Sequence, residues 1–368
     1  MAGFPFMRQA EAFRSSLPFI LLLAVFILPC PMSAAAKPRP AIAFVHLLLP
    51  PGGEPHASPA GWIGSLDRAR DTLESLRILT IVSSASPGNA EDLNELSEMD
   101  PEVLITTSPL LYAAACDVAK RSPNTVFFAC TDETVHDNMS GFQARTYEAH
   151  YLAGLIAGAL SEDGVIGYLA NDPYQSKASR LRNANAFTLG AQKSKAAIRV
   201  LYAPGNDPDE ELKTLIAAGA DIVDLERALP SLVERLREHS VRYVGTAGRT
   251  VDPLCLAAPE WEWSNAFGDL LTQVRFGIWR PRNVSYGIKE GVVGLSPFGP
   301  AVPETVRVRV REAKEAIRNG ASPFEGPVRD VSGSLRIAEG SVPDDATLRG
   351  MDWRVQGLEP LPLTPDGR

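Results

Sequence analysis

The side chains that most often do chemistry are few and scattered in this sequence of 368 residues. Its histidines share no short metal-ligand spacing. They are His46, His56, His136, His150 and His239. Paired carboxylates such as Asp92 and Glu95 fall on predicted helix surfaces, where solvated charge is their usual role. The sequence contains no phosphate-binding glycine loop, zinc-protease motif or nucleophile elbow. The pattern therefore predicts no catalytic residue, no metal site and no cofactor.

Aromatic side chains suggest a different chemistry, the binding of a flat ligand. Trp62 follows a loop rich in proline and glycine after the first predicted strand, and Trp261 and Trp263 follow another strand-like run. Ligands of open α/β sheets lie beyond the carboxyl ends of the strands, so these rings are placed to stack on a planar molecule. Trp261 and Trp263 alternate along the chain, and one of them is expected to face the other way. Core packing is the alternative for all three rings.

The elements that would position these rings alternate between strand and helix. Predicted strands such as 103–107 and 125–130 are continuous apolar runs, which is typical of parallel strands covered on both faces. Predicted helices lie between successive strands, as parallel crossover connections require. The alternation starts again after Arg145. We therefore predict two α/β lobes whose facing edges form a cleft.

The first 36 residues have the three parts of a secretory signal. Arg8 and Arg14 precede the apolar run Leu17–Leu28, and a small-residue stretch ends at Ala36. The run is shorter than the roughly 20 residues that a membrane-spanning helix needs. An uncleaved anchor and a lipidated Cys30 are the alternatives. We expect a periplasmic or other extracytoplasmic protein.

The net charge limits the class of binding partner, and the cysteine content limits the possible disulfides. The formal charge is −8, from 36 basic and 44 acidic side chains, which argues against a nucleic-acid partner. Cys116, Cys130 and Cys255 follow the predicted signal and could form one pair in an oxidising compartment. Packing as small buried side chains is the favoured interpretation for all three.

Several segments, taken in order, resemble one protein family. They are RTYEAHYLAGLIAG at 145–158, GVIGY at 164–168, NAFTLGA at 185–191, PEWEW at 259–263 and FEGPVRDVSG at 324–333. From about residue 41 to 335 their order and spacing are similar to those of the basic membrane protein (Bmp) family. Members of this family are extracytoplasmic substrate-binding components of ABC importers.

The resemblance implies an α/β fold of the periplasmic-binding-protein type I class, with two doubly wound parallel-sheet lobes joined by hinge strands. It divides the chain into a signal at 1–36, a first lobe at 37–145 plus about 250–296, a second lobe at 146–249 plus about 297–340, and a tail at 341–368. It further implies a purine base or nucleoside as ligand, a membrane permease and ATPase as partners, and a monomer.

The resemblance also implies a set of ligand-binding residues. They are Trp62, Ser108, Tyr112, Tyr147, Asn185, Phe187, Trp261, Trp263, Tyr286 and Lys289. Several polar positions of the family pattern are replaced, as at Asp224–Glu226 and Gly245–Gly248. Loss of a buried hydrogen-bond partner costs about 1–3 kcal/mol, so we expect either weak purine binding or another ligand. A ligand-sensing receptor that feeds a signalling partner and a secreted nucleoside-processing enzyme are the alternative functions.

Overall fold

The structure is a computed structural model that describes residues 39–47, 61–86, 89–131, 133, 136–172, 175–245 and 252–362. The predicted signal, Cys30, the loop after the first strand and Gly248 lie outside these residues. Arg39 onwards forms one compact unit. Among the described residues, no helix combines the length and apolar character needed to cross a membrane.

The first sheet has six parallel strands. They are β1 (Ile42–Leu47), β2 (Thr80–Ala85), β3 (Val103–Thr106), β4 (Val126–Cys130), β5 (Met139–Ala144) and β12 (Asn283–Tyr286), in the spatial order β12-β5-β4-β3-β1-β2. Helices lie on both faces. They are α1 (Trp62–Ser75), α2 (Glu91–Ser97), α3 (Tyr112–Ala119) and α8 (Ser264–Arg275).

Side chains of β1 alternate between the two faces of the sheet, which explains why the strand is apolar throughout. Ile42 and Phe44 pack towards α1 and α8, whereas Ala43 and Val45 pack towards α2 and α3. A strand covered on both faces needs apolar side chains at every position, because both sets are removed from water. The predicted parallel sheet is confirmed on this point.

The second sheet is also parallel and six-stranded. Its strands are β6 (Val165–Leu169), β7 (Arg199–Ala203), β8 (Ile222–Leu225), β9 (Arg242–Gly245), β10 (Cys255–Ala257) and β16 (Leu358–Pro360), in the order β10-β9-β8-β6-β7-β16. The helices around it are α4 (Thr146–Leu160), α5 (Lys177–Ser194), α6 (Pro208–Ala217), α7 (Pro230–Glu238), α9 (Glu304–Arg318) and α10 (Asp345–Arg349). A short ribbon of β14 (Val328–Arg329) and β15 (Leu335–Ile337) completes the second lobe.

Helices α4 and α5 touch at backbone distance. A methyl group on Gly154 would lie 2.0 Å from the carbonyl oxygen of Phe187, and one on Gly190 would lie 2.1 Å from that of Tyr151. Contacts this short exclude any side chain larger than hydrogen at the two positions. The small residues of α4 therefore hold the two helices together as one layer on the second sheet.

Three segments connect the lobes. The first is Arg145, between β5 and α4. The other two include the strands β11 (Pro259–Trp261) and β13 (Val293–Leu295), which pair antiparallel. The connections after β10 and after β12 run through this ribbon, so β11 and β13 form the hinge strands between the lobes.

Charged groups converge on the Arg145 connection. The Arg145 guanidinium donates to both carboxylate oxygens of Asp345, at 3.0 and 2.8 Å, and lies 3.5 Å from Glu290. Glu148, one turn into α4, is buried and accepts a 2.7 Å hydrogen bond from the backbone N–H of Ile288. Burial raises the pKa of Glu148 to about 7, although the Ile288 N–H and Arg145 oppose the shift. The lobes are thus linked by ionic groups as well as by the chain.

The carboxyl-terminal segment, which we placed in a tail at 341–368, contains a strand. Leu358–Pro360 forms β16 and pairs with β7 at the edge of the second sheet. Val355 and Leu358 are fully buried, so their apolar side chains anchor the segment in the core of the second lobe. The Asn185 amide donates to the Trp353 carbonyl at 2.8 Å and accepts from the Val355 N–H at 2.9 Å. Asn185 therefore fixes the segment that leads into β16.

Replacing Asn185 with alanine tests this clamp. We expect Asn185→Ala to lower the free energy of unfolding by about 2–4 kcal/mol, because two buried backbone groups lose their partners. Urea unfolding followed by circular dichroism measures the change. Asn319→Ala, on the exposed side chain that ends α9, is the matched control and should stay within about 0.5 kcal/mol of the parent. Equal stability of the two variants would contradict the clamp.

The buried Glu148 predicts a pH dependence with a definite sign. The folded protein keeps the Glu148 proton up to about pH 7, whereas the ordinary pKa is 4.5, so stability falls as pH rises through this window. Glu148→Gln imitates the protonated form. At pH 8 it should be more stable than the parent by roughly 1–3 kcal/mol, and near pH 4 the two should be equal.

Unfolding curves at several pH values measure the free energy of unfolding of the parent and of Glu148→Gln. Glu312→Gln, at an exposed position, is the control. Glu226 is buried with its pKa also raised to about 7, so a residual slope of the same sign should remain in Glu148→Gln. Parallel stability profiles for Glu148→Gln and the parent would rule out the assigned role of Glu148.

Candidate functional site

Trp62 is held rigidly at the carboxyl edge of the first sheet. It begins α1, and its indole Nε1–H donates a 2.8 Å hydrogen bond to the carbonyl of Thr107, just beyond β3. The ring is half-buried. Its orientation is set by this bond and by neighbouring rings, so little side-chain freedom remains to be lost on ligand binding.

The neighbouring rings form a cluster beneath and beside Trp62. Trp261 and Trp263 meet Trp62 edge to face, with centroids 5.9 and 5.2 Å away. Phe142 lies nearly parallel to Trp62 at 6.3 Å. Trp263 in turn stacks on Phe267 at 5.4 Å. The fold thus brings together the three tryptophans that the sequence analysis named.

Only one of the alternating pair offers surface to a ligand. Trp263 is fully buried in the core of the first lobe, whereas Trp261 is half-buried. Trp261 lies on the hinge strand β11 and packs against the cores of both lobes. Its Nε1 lies 3.4 Å from the hydroxyl of Thr146, at the start of α4. Trp261 therefore joins the Trp62 cluster to the second lobe.

Tyr286 and Lys289 lie where the chain passes from β12 to β13. The Tyr286 ring is half-buried and meets Trp263 edge to face at 5.8 Å. Burial raises the pKa of its phenol. Its backbone carbonyl accepts a 2.7 Å hydrogen bond from the N–H of Arg145, which ties two of the connections together. Lys289 is exposed.

Ser108 and Tyr112 follow β3, as expected, but they serve the local turn. The Ser108 hydroxyl accepts from the N–H of Leu110 at 3.3 Å and caps a short 3₁₀ turn. Tyr112 is half-buried and packs against the core on the α2–α3 face, where burial and the neighbouring Cys116 raise its pKa to about 12.

Three expected ligand residues of the second lobe are buried in its core. Tyr147 packs on Phe324 with centroids 5.5 Å apart, under the Arg182 guanidinium. Phe187 is fully buried against Tyr168. Asn185 is fully buried and engaged by the carboxyl-terminal segment. As placed, these side chains have no surface to present to a ligand, because the α4–α5 layer encloses them.

A buried polar group at the carboxyl end of β8 was not among the predicted site residues. His150 lies 3.1 Å from Asp224 through Nδ1, and the Tyr168 hydroxyl donates to Glu226 at 2.9 Å. The amide of Asn183 also reaches Glu226, at 3.4 Å. Burial raises the pKa of Glu226 to about 7. Burial lowers the pKa of His150, but Asp224 reverses this and raises it overall.

The signal for this group was present in the sequence. Two acidic residues, Asp224 and Glu226, lie at the end of an apolar strand, and His150 lies in a helix that is mostly apolar. Buried charges occur where they pair. The other carboxylate oxygen of Asp224 has no hydrogen-bond partner within the described chain. Asp224 and Glu226 are thus buried acidic groups inside the second lobe, at the carboxyl end of β8.

Other site types receive no support from the described part of the chain. It contains no group of three or more His, Cys, Asp or Glu side chains that could hold a metal ion. Two open surface depressions, of about 410 and 500 Å³, lie at residues 94–125 and 192–359 and include none of the predicted site residues. The tryptophan cluster with the hinge strands is the strongest site candidate.

Comparison with known proteins supports this assignment of the fold. Residues 67–217 match the Bmp family, described as PnrA-like ABC transporter substrate-binding proteins. The matched region runs from α1 through the Arg145 connection to α6 and includes strands of both sheets. A solute-binding protein of an ABC transporter system from Conexibacter woesei has the same fold, with a TM-score of 0.60 at 17% identity, over 76% of this chain and 97% of that one.

Two relatives match most of the chain. A purine-binding protein of Brucella abortus is 28% identical over 344 residues, which is 89% of this chain and 95% of the relative. A Haloferax volcanii protein named as an ABC transporter glucose-binding protein is 28% identical over 311 residues, or 77% of this chain and 78% of the relative.

These matches agree with the two six-stranded sheets and their hinge strands, which together are the periplasmic-binding type I fold. Over residues 67–217 this chain is similar to the Bmp family of PnrA-like ABC transporter substrate-binding proteins.

Proposed function

We propose that this protein is the solute receptor of an ABC importer and that it binds a purine base or nucleoside between its lobes. The observation that carries the proposal is Trp62, an indole locked by its bond to Thr107 at the edge where parallel sheets bind ligands. A fixed aromatic face favours a flat heterocycle, because stacking adds about 0.5–1.5 kcal/mol beyond area burial. The relative named as purine-binding covers nearly the whole chain and supports this class.

Trp261 connects ligand binding to the motion of the lobes. It is edge to face with Trp62, and it lies on a hinge strand within reach of Thr146 on the second lobe. A ligand that stacks on Trp62 therefore adds contacts in the closed arrangement that the open one lacks. Differential contact of this kind shifts the population towards closure.

The second lobe has acidic groups at the carboxyl end of β8. Asp224 and Glu226 are buried there, with Asp224 paired to His150 and Glu226 accepting from the Tyr168 hydroxyl. Acidic surroundings are unfavourable for a phosphorylated ligand, because like charges repel each other. This is compatible with a receptor for an uncharged base or nucleoside.

We further propose that residues 1–36 direct export, with a permease and an ATPase in the membrane as partners and a monomeric receptor. The apolar run Leu17–Leu28 behind Arg8 and Arg14 supports a signal. Cleavage with Cys30 as the lipid attachment point is the alternative form. Intact-mass measurement of the exported protein distinguishes the two.

A ligand panel tests the proposed class. Adenine, hypoxanthine, adenosine and guanosine at millimolar concentration should raise the melting temperature of the protein, since binding to the folded state alone stabilises it by about 2.7 kcal/mol at 100 times the Kd. Glucose and ribose form the comparison arm because one relative is named for glucose. Shifts with sugars and none with purines would replace the purine assignment by a sugar assignment.

Removing the stacking ring tests the site itself. Trp62→Ala should weaken the ligand found in the panel at least tenfold by calorimetry, and Trp62→Phe should recover part of the loss. Trp279→Ala is the matched control, because Trp279 is also half-buried against the first-lobe core but follows the far end of α8. Equal affinities of Trp62→Ala and Trp279→Ala would remove Trp62 from the site.

A further inference from the structure

The amino edge of the first sheet, opposite the tryptophan cluster, exposes large apolar side chains. Leu76 follows α1 and is 67% exposed, while Phe276 and Ile278 follow α8 and are 76% and 64% exposed. Isolated exposed apolar residues are common on soluble proteins, but groups of them mark contact surfaces.

These residues lie along one edge because of how the two helices run. Both α1 and α8 begin at the tryptophan cluster, where Trp62 and Trp263 are 5.2 Å apart, and both pack on the same face of the sheet. Their carboxyl ends therefore reach the same edge. Arg275 at the end of α8 pairs with Glu102 at 2.8 Å, and the N–H of Glu102 bonds to the carbonyl of Pro40.

Basic side chains accompany the apolar ones. Arg77, Arg280 and Arg282 are exposed and have no ion pair with the described residues. Nearby Arg39 and Arg275, in contrast, pair with Asp100 and Glu102. Three arginines without acidic partners beside exposed apolar side chains form a surface with local positive charge on a protein whose net charge is −8.

The first residue that the structure describes, Arg39, lies at this same edge. Residues 1–38 connect at Arg39, and the N–H of Ala41 bonds to the carbonyl of Leu79 at 2.9 Å. That preceding stretch contains the apolar run Leu17–Leu28 behind Arg8 and Arg14. Both the connecting segment and the edge itself thus combine apolar and basic residues.

We propose that this amino edge, made of Leu76, Phe276, Ile278, Arg77, Arg280 and Arg282, rests on the surface of an anionic lipid bilayer. The arginines would pair with lipid phosphates, and the apolar side chains would enter the headgroup layer. In this orientation the tryptophan cluster at the opposite edge of the sheet points away from the bilayer, towards solute.

The test uses the full chain and its own tryptophan as reporter. Trp279 lies directly after Ile278, so vesicles of brominated phosphatidylglycerol and phosphatidylcholine should quench its fluorescence. Quenching should be greatly reduced in Trp279→Phe. It should also fall in pure phosphatidylcholine and at high salt, because the attraction to anionic lipid is screened.

Two variants separate this edge from an effect of residues 1–38. Arg77→Ser/Arg280→Ser/Arg282→Ser and Phe276→Ser/Ile278→Ser should each raise the half-saturating lipid concentration at least tenfold, since one arginine at an anionic surface contributes about fivefold. Leu335→Ser/Val342→Ser, on second-lobe residues that are 51% and 54% exposed, is the control and should leave the half-saturating lipid concentration unchanged.

Vesicle binding without Trp279 quenching, binding unaffected by both edge variants, or no binding at all would each overturn the proposal. Ligand affinity should be the same in parent and edge variants, because the ligand site lies at the other edge. Failure of the lipid test is therefore distinguishable from failure of the purine assignment.

Discussion

The contact between α4 and α5 is the constraint on which the second lobe depends. Gly154 and Gly190 bring the two backbones so close that no other residue fits at either position. This layer buries Tyr147 and Phe187 and places Asn185 against the carboxyl-terminal segment. It also sets the start of α4 at the Arg145 connection, where Thr146 meets Trp261 and Glu148 meets Ile288. The hinge geometry thus follows from helix packing.

Much of the architecture could be predicted from apolar patterning, since a parallel strand such as β3 is buried on both faces and reads as VLIT. β5 escaped prediction because MSGFQA mixes polar and small residues, although it is buried by its neighbours on both sides. β16 escaped because its residues, LEP, resemble a loop. Only tertiary pairing with β7 makes a strand of it.

Some residues of the candidate site could also be predicted from the sequence, and others depend on the fold. Tryptophans near strand ends are visible in a sequence, so Trp62 and Trp261 could be found from position alone. The burial of Asn185 and Phe187 could not, because it depends on which face of α5 meets α4. His150 and Asp224 are 74 residues apart along the chain, and nothing short of the fold brings them to 3.1 Å. Local pattern shows a histidine in a helix and acidic residues at a strand end, but not that the fold pairs them.

The position of β16 has a consequence for how the protein is made. The second sheet gains its last edge strand only from residues 358–360, and the clamp at Asn185 needs residues 353–355. The second lobe therefore cannot complete its sheet until residues 358–360 have been made and have paired with β7. Until then the edge of β7 stays unpaired, so a polypeptide shortened before residue 358 would expose the backbone donors and acceptors of β7.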